Sequence, residues 1–200
     1  MAEIKITCPK CFQSFSTDSS LGTYKCTFCD EIINVQSFKQ VKKVAPAKIP
    51  MYINTIKQIG AQCPNDPSLY MSLGLFYLES KAYMMAVQAF QWAISMNPYN
   101  PDAYFYYAVS LLGGKRPYES YETEMRNVLE KLNVAISINP NNPQYYFFKA
   151  FIAKDFYEKN FLPLSPSSSE LLNTAQEFGL TEEDEIELFD MLKVQRPRNF

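Results

Sequence analysis

The sequence predicts a mainly α-helical chain with a small β module at its amino end. Three observations carry that prediction. Four of the five cysteines stand in two C-x2-C pairs within the first 29 residues. A proline-marked motif recurs at Pro64, Pro98 and Pro140, with large and small apolar residues at helical spacing between the marks. Tyr and Phe number 14 and 15 among 200 residues, at 47% hydrophobic and 20% charged, which calls for a packed core and excludes wholesale disorder.

The chain changes character near residue 48. Residues 1–48 carry seven lysines against Glu3, Asp18, Asp30 and Glu31, a net of +3, which leaves −5 for the rest of a chain whose net charge is −2. The stretch QSFKQVKKVAPAKIP has four lysines, two prolines and no clear period, so residues 38–50 read as a linker, extended around Pro46 and Pro50. The expected organisation is a module at 1–37, a linker at 38–50 and a helical domain with carboxy-terminal capping helices at 51–200.

Cys8 and Cys11, then fourteen residues, then Cys26 and Cys29 set the chemistry of the first module. Two residues between cysteines let both thiolates of a tight turn point to one centre. Two such turns make a closed tetrahedral S4 set, which suits one structural Zn2+ and leaves no position for a substrate water. Two disulfides, four free thiols or an iron–sulfur cluster are the other uses of four cysteines. Paired knuckles in a reducing compartment favour zinc. So short a segment cannot bury enough apolar surface to fold alone, so the metal supplies folding energy. Alternation at Ile4 and Ile6, Phe12 and Phe15, Tyr24 and Cys26, and Ile32 and Val35 predicts short strands, with a turn from Asp18 to Gly22. Residues 3–36 resemble the zinc ribbon family. Phe12 and Asp30 follow the second cysteine of each pair, where such knuckles often carry Gly. Lysines at 5, 10, 25, 39, 42 and 43 near Phe12, Phe15, Tyr24 and Phe28 raise nucleic-acid contact as one use of the module. A charge of +3 with no Arg before residue 116 favours a structural or protein-contact role instead.

The helical part repeats. The proline marks are 34 and then 42 residues apart. Between the first two, Tyr70, Leu73, Gly74 and Tyr77 fall on one helical face, and Ala86, Phe90 and Ala93 on the next. Small Gly74 and Ala86 let two antiparallel helices approach while the aromatics fill around them. A second unit carries Tyr104, Tyr107, Ala108 and Leu111, then Val128, Leu132, Ala135 and Ile136. Its eight extra residues form a longer turn and an extended helix start. A third begins at Pro143, with Lys149 where an apolar residue is usual. Glu170–Phe178 and an acidic segment opened by Thr181 read as further helices. Tyr52, Ile56 and Ile59 look like a second helix without its partner.

Residues 50–178 resemble the tetratricopeptide repeat family. The resemblance implies an α-solenoid of helical hairpins whose first helices line a groove, here at Met71, Leu75, Phe105, Val109, Phe147 and Phe151. It also implies that this groove binds a protein or peptide partner. Members that clamp a carboxylate use Lys, Asn and Arg at positions held here by Met71, Leu75, Tyr106 and Phe148, so that activity does not transfer. An apolar groove suits an amphipathic helix or extended apolar peptide. The competing expectation is that residues 180–194 of the same chain fill it.

The chain has no histidine, which removes the commonest general base and the usual nucleophile pairs, so no enzyme is expected. The start MAEIKITCPKC lacks a signal-peptide pattern and no apolar run is long enough to span a bilayer, which predicts a cytoplasmic protein without a membrane span. The expected function is an adaptor or scaffold, with the ribbon as a second contact surface. The alternative is a nucleic-acid-associated factor whose repeats recruit protein.

Overall fold

The computed structural model describes residues 3–18, 22–197 and 200. It is mainly helical, with one two-stranded sheet. The chain divides into two compact units, Met1–Pro98 and Tyr99–Phe200. That boundary falls inside the repeats and not at residues 38–50.

In the amino-terminal unit, β1 (Glu3–Thr7) pairs antiparallel with β2 (Ser14–Asp18), placing Ile6 opposite Phe15. Ile4, Ile6 and Phe15 are buried and their neighbours face water, as the alternation predicts. The turn expected after Asp18 lies partly outside the described residues. The second expected strand pair reduces to an isolated bridge between Lys25 and Ile32, because the knuckle takes up Cys26–Asp30 between them.

The expected linker is folded. Phe38–Lys42 forms α1, Pro46–Lys48 a 3-10 turn, and α2 runs from Ile49 to Gln62. Phe38 and Val41 are fully buried. One apolar pair three residues apart is too short a period to stand out in a sequence. α2 is followed by the hairpin of α3 (Pro67–Glu79) and α4 (Tyr83–Met96). A Cβ on Gly74 would lie 2.4 Å from Cε1 of Phe90, so only glycine permits this approach of α3 to α4.

The carboxy-terminal unit holds α5 (Pro101–Leu111), α6 (Glu122–Ile138) and α7 (Pro143–Ile152). A π-helical segment, Ala153–Glu158, continues α7. α8 (Ser168–Glu177) and α9 (Glu182–Leu192) complete the unit. α5 pairs with α6 and α7 with α8, so the unit is built of paired helical hairpins.

The recurring punctuation has a local cause. Asp66, Asn100 and Asn142 each precede a proline at the first helical position, and each side chain accepts a hydrogen bond from the backbone N–H two residues on, at 2.9, 3.1 and 3.0 Å. Such a cap is worth about 1 kcal/mol, and proline loses nothing at a site whose N–H has no helical partner.

Candidate functional site

Each C-x2-C pair closes a tight turn. Phe12 N–H donates to the Cys8 carbonyl at 3.0 Å and Cys8 N–H to the Gln13 carbonyl at 3.0 Å. In the second knuckle, Asp30 N–H donates to Cys26 and Cys26 N–H to Glu31, at 3.0 and 2.8 Å. Phe12 and Asp30 have φ of 64° and 58°, the left-handed backbone for which glycine is the usual choice. The knuckle geometry is therefore kept without the glycines.

All four Sγ atoms lie within 4.8 Å of one another, with Cys8–Cys29 and Cys11–Cys26 both at 3.7 Å. A tetrahedron with metal–sulfur bonds of about 2.3 Å places its sulfurs about 3.8 Å apart, so the set fits a four-coordinate thiophilic ion. Cys8 and Cys26 are fully buried, and Cys11 and Cys29 half-buried. Burial pushes the Cys8 thiol up to about 12. Burial also acts against a Cys26 thiolate, but backbone N–H groups of Phe28 and Cys29 outweigh it and bring that thiol down to about 7. Four thiolates this close need a cation between them. Cys63 is half-buried at the end of α2, outside the four-sulfur cluster.

The cysteine module is built into the helices that follow it. Tyr24 donates its hydroxyl to Asp66 at 2.8 Å, and Tyr52 of α2 donates to Glu31 at 2.6 Å. Asn34 Nδ2 donates to Ser68 Oγ at 3.0 Å, and Ser72 Oγ to the Val35 carbonyl at 2.7 Å. Thr55 Oγ1 of α2 reaches the Thr7 carbonyl at 3.4 Å. Tyr52, Ile56 and Ile59 are buried. The partner that α2 lacks among the repeats is supplied by β1 and α3, against which it packs.

The six groove positions are all buried, with exposures of 2% or less. Met71 and Leu75 lie on α3, the helix that packs against α1, accepts from Asn34 at Ser68 and donates to Val35 from Ser72. Phe105 packs on Tyr145 and Phe148, at centroid distances of 5.1 and 6.0 Å. Val109 lies on α5, which packs against α6 and α9. Phe147 and Phe151 are closed over by Phe189 of α9, at 6.0 and 5.1 Å, and by Phe200, at 5.2 and 5.5 Å. At Phe147 and Phe151 the groove expected to be open is therefore filled by α9 and Phe200 of the same chain. The competing expectation identified α9 as the filler, though it stopped short of Phe200.

An unpredicted surface remains on α4. Met84 is 73% exposed and Trp92 58%, with Met85 also exposed. Tyr70 lies beside Trp92 at 6.3 Å. The signal was present in the sequence: residues 82–101 contain no charged side chain, which is unusual for a helix with an exposed face. On the cysteine module, Phe12 and Phe28 are exposed, but Lys10 and Lys25 are tied to Glu31 and Asp30 at 2.6 and 2.9 Å. Lys42 pairs with Glu79 at 3.2 Å.

Hairpins of paired helices and a four-thiol cluster with the geometry of a metal site define the kind of protein this is. No family model matches the chain, and no curated protein does. Among solved structures, one described as MamA MSR-1 C2 is 20% identical, covers 70% of this chain and 71% of its own, and superposes with a TM-score of 0.49. That likeness is too low to carry any property of the other protein across. No described helix is long and apolar enough to cross a membrane.

Proposed function

We propose that the chain is a protein-interaction scaffold whose partner docks an apolar, uncharged surface on the exposed face of α4. The exposure of Met84, Met85 and Trp92 on a charge-free helix carries this reading. Exposed Trp and Met are favoured at contact sites, and a face without charge selects a partner by apolar shape. One zinc ion, held by Cys8, Cys11, Cys26 and Cys29, is structural, since a closed S4 set offers no open position. Without histidine, and with Asp155 committed to Arg116 and Lys159, the chain is assigned no catalysis. Thiolate–zinc chemistry fits a reducing compartment, and we place the protein in the cytoplasm. Nucleic-acid association has less support, because Lys10 and Lys25 spend their charge on neighbouring carboxylates.

Quantitative affinity purification tests the reading, comparing the wild-type chain with Met84→Glu/Trp92→Glu. Both side chains are exposed, so the fold should survive, which a thermal melt checks. A partner recovered with wild type and depleted at least tenfold with the variant is expected. Recovery of the same proteins at the same ratios by both would remove α4 as the docking face.

A further inference from the structure

The carboxy-terminal unit has a second feature with no part in the scaffold reading: a cavity of about 310 Å³ lined by Arg116, Phe151, Lys154, Asp155, Lys159, Pro197 and Phe200. The π-helical segment Ala153–Glu158 supplies Lys154 and Asp155, and Asp155 is turned inward to 2% exposure. π-helical turns recur at functional sites because their extra residue re-aims side chains. The Asp155 carboxylate accepts from Arg116 through Nε at 3.3 Å and through Nη2, from Lys159 Nζ at 2.5 Å, and from Tyr118 N–H at 3.3 Å. It is fully engaged by two cations. The third, Lys154, lies over the Phe200 ring at 5.9 Å and has no carboxylate partner among the described residues.

Three cations thus face one carboxylate around an apolar floor of Phe151, Pro197 and Phe200. The acidic residues of α9 do not make up the difference: Asp184 and Glu187 accept from Gln144, and Glu185 pairs with Arg196. Two positive charges beside low-dielectric walls attract a compact dianion, and the floor favours an apolar body attached to it. Arg116 and Lys159 are both engaged by Asp155, so Lys154 is the uncommitted donor, and an ammonium binds phosphate as a point charge.

We propose that this cavity binds a small phosphate monoester with an aromatic or aliphatic body. A monoester carries close to two negative charges at pH 7, its second pKa being about 6. The charged groups lining it are Arg116, Lys154 and Lys159, with Asp155 paired to the first and the last.

Titration of the full chain with phenyl phosphate, followed by calorimetry and by NMR shifts of residues around the cavity, tests this. Millimolar or tighter binding is expected, weakening as pH falls below about 6 and as salt rises. Phenol should not bind, and inorganic phosphate should bind at least fivefold more weakly. Lys154→Gln should reduce affinity about tenfold at unchanged melting temperature, because Lys154 is partly exposed and makes no ion pair. No saturation by 20 mM phenyl phosphate, equal binding of inorganic phosphate, or equal affinity in Lys154→Gln would each overturn the proposal. A phosphotyrosine peptide in a parallel arm distinguishes sources: binding of phenyl phosphate but not the peptide assigns a free metabolite, and binding of both a modified protein segment.

Discussion

Replacing Phe147 with Ala tests whether the carboxy-terminal unit closes its own groove. The ring is 1% exposed and packs against Phe189 and Phe200 at 6.0 and 5.2 Å. Truncating a buried Phe costs about 3–5 kcal/mol, through lost transfer free energy and the cavity left behind. A domain is stable by about 5–15 kcal/mol, so the variant gives up a large part of the whole. For a unit of this size each kcal/mol moves the midpoint by about 4–8 °C, which predicts a fall of at least about 12 °C. Thermal unfolding followed by circular dichroism reads this directly. The loss is assigned to the tail contacts by a second variant, Phe200→Ala, which removes the ring facing Phe147 and Phe151. It should show a smaller fall in the same transition. A Phe147→Ala midpoint within about 3 °C of wild type would refute the reasoning, since an open groove position loses little on truncation.

Other expectations follow from single contacts. Gly74→Ala sets a Cβ 2.4 Å from Phe90, so overpacking of about 1–3 kcal/mol outweighs the helix preference for Ala. Chemical denaturation should show a net loss, partly recovered by adding Phe90→Leu. Phe12→Gly relieves a left-handed backbone and should stabilise the cysteine module by about 1 kcal/mol, read as a higher denaturant midpoint for the amino-terminal unit. Lys149 is half-buried against Asn133 at 2.8 Å, and burial holds its pKa below the ordinary lysine value. Its charged form is disfavoured in the folded chain, so stability rises as pH climbs toward the ordinary lysine range. Lys149→Met should raise stability at pH 7 and flatten that rise.

Much of this architecture was legible because its signals are local. The C-x2-C pairs identified the four sulfurs, and the Asx-Pro caps at Asp66, Asn100 and Asn142 marked three helix starts. Gly74 and Phe90 announced their close approach by being the smallest and among the largest residues at facing positions. What escaped was contact between distant parts of the chain. α1 shows only Phe38 and Val41 to its core, too few for a period. Nothing in their own neighbourhoods tells that Tyr24 reaches Asp66, 42 residues away, or that Phe200 reaches Phe147. The groove positions were placed in the right helices, but whether such a position faces water depends on segments far along the sequence. The α4 surface was readable in principle, as a helix without charges whose outward positions are Met, Gln and Trp.

The four-cysteine centre organises the whole amino-terminal unit and is not a bead on a linker. Among the described residues, six hydrogen bonds join residues 7–35 to the stretch 52–72, among them Tyr24–Asp66 and Tyr52–Glu31. At about 1 kcal/mol each, before apolar burial is counted, they approach the stability of a small domain. Hydrogen exchange of the full chain, as zinc-loaded protein and after removal of the metal by a chelator, measures this directly. Stripping the metal should abolish protection in α2 and α3 together with residues 3–36, while α5 to α8 keep theirs. Loss confined to residues 3–36, with α2 and α3 still protected, would show an independent ribbon and contradict it.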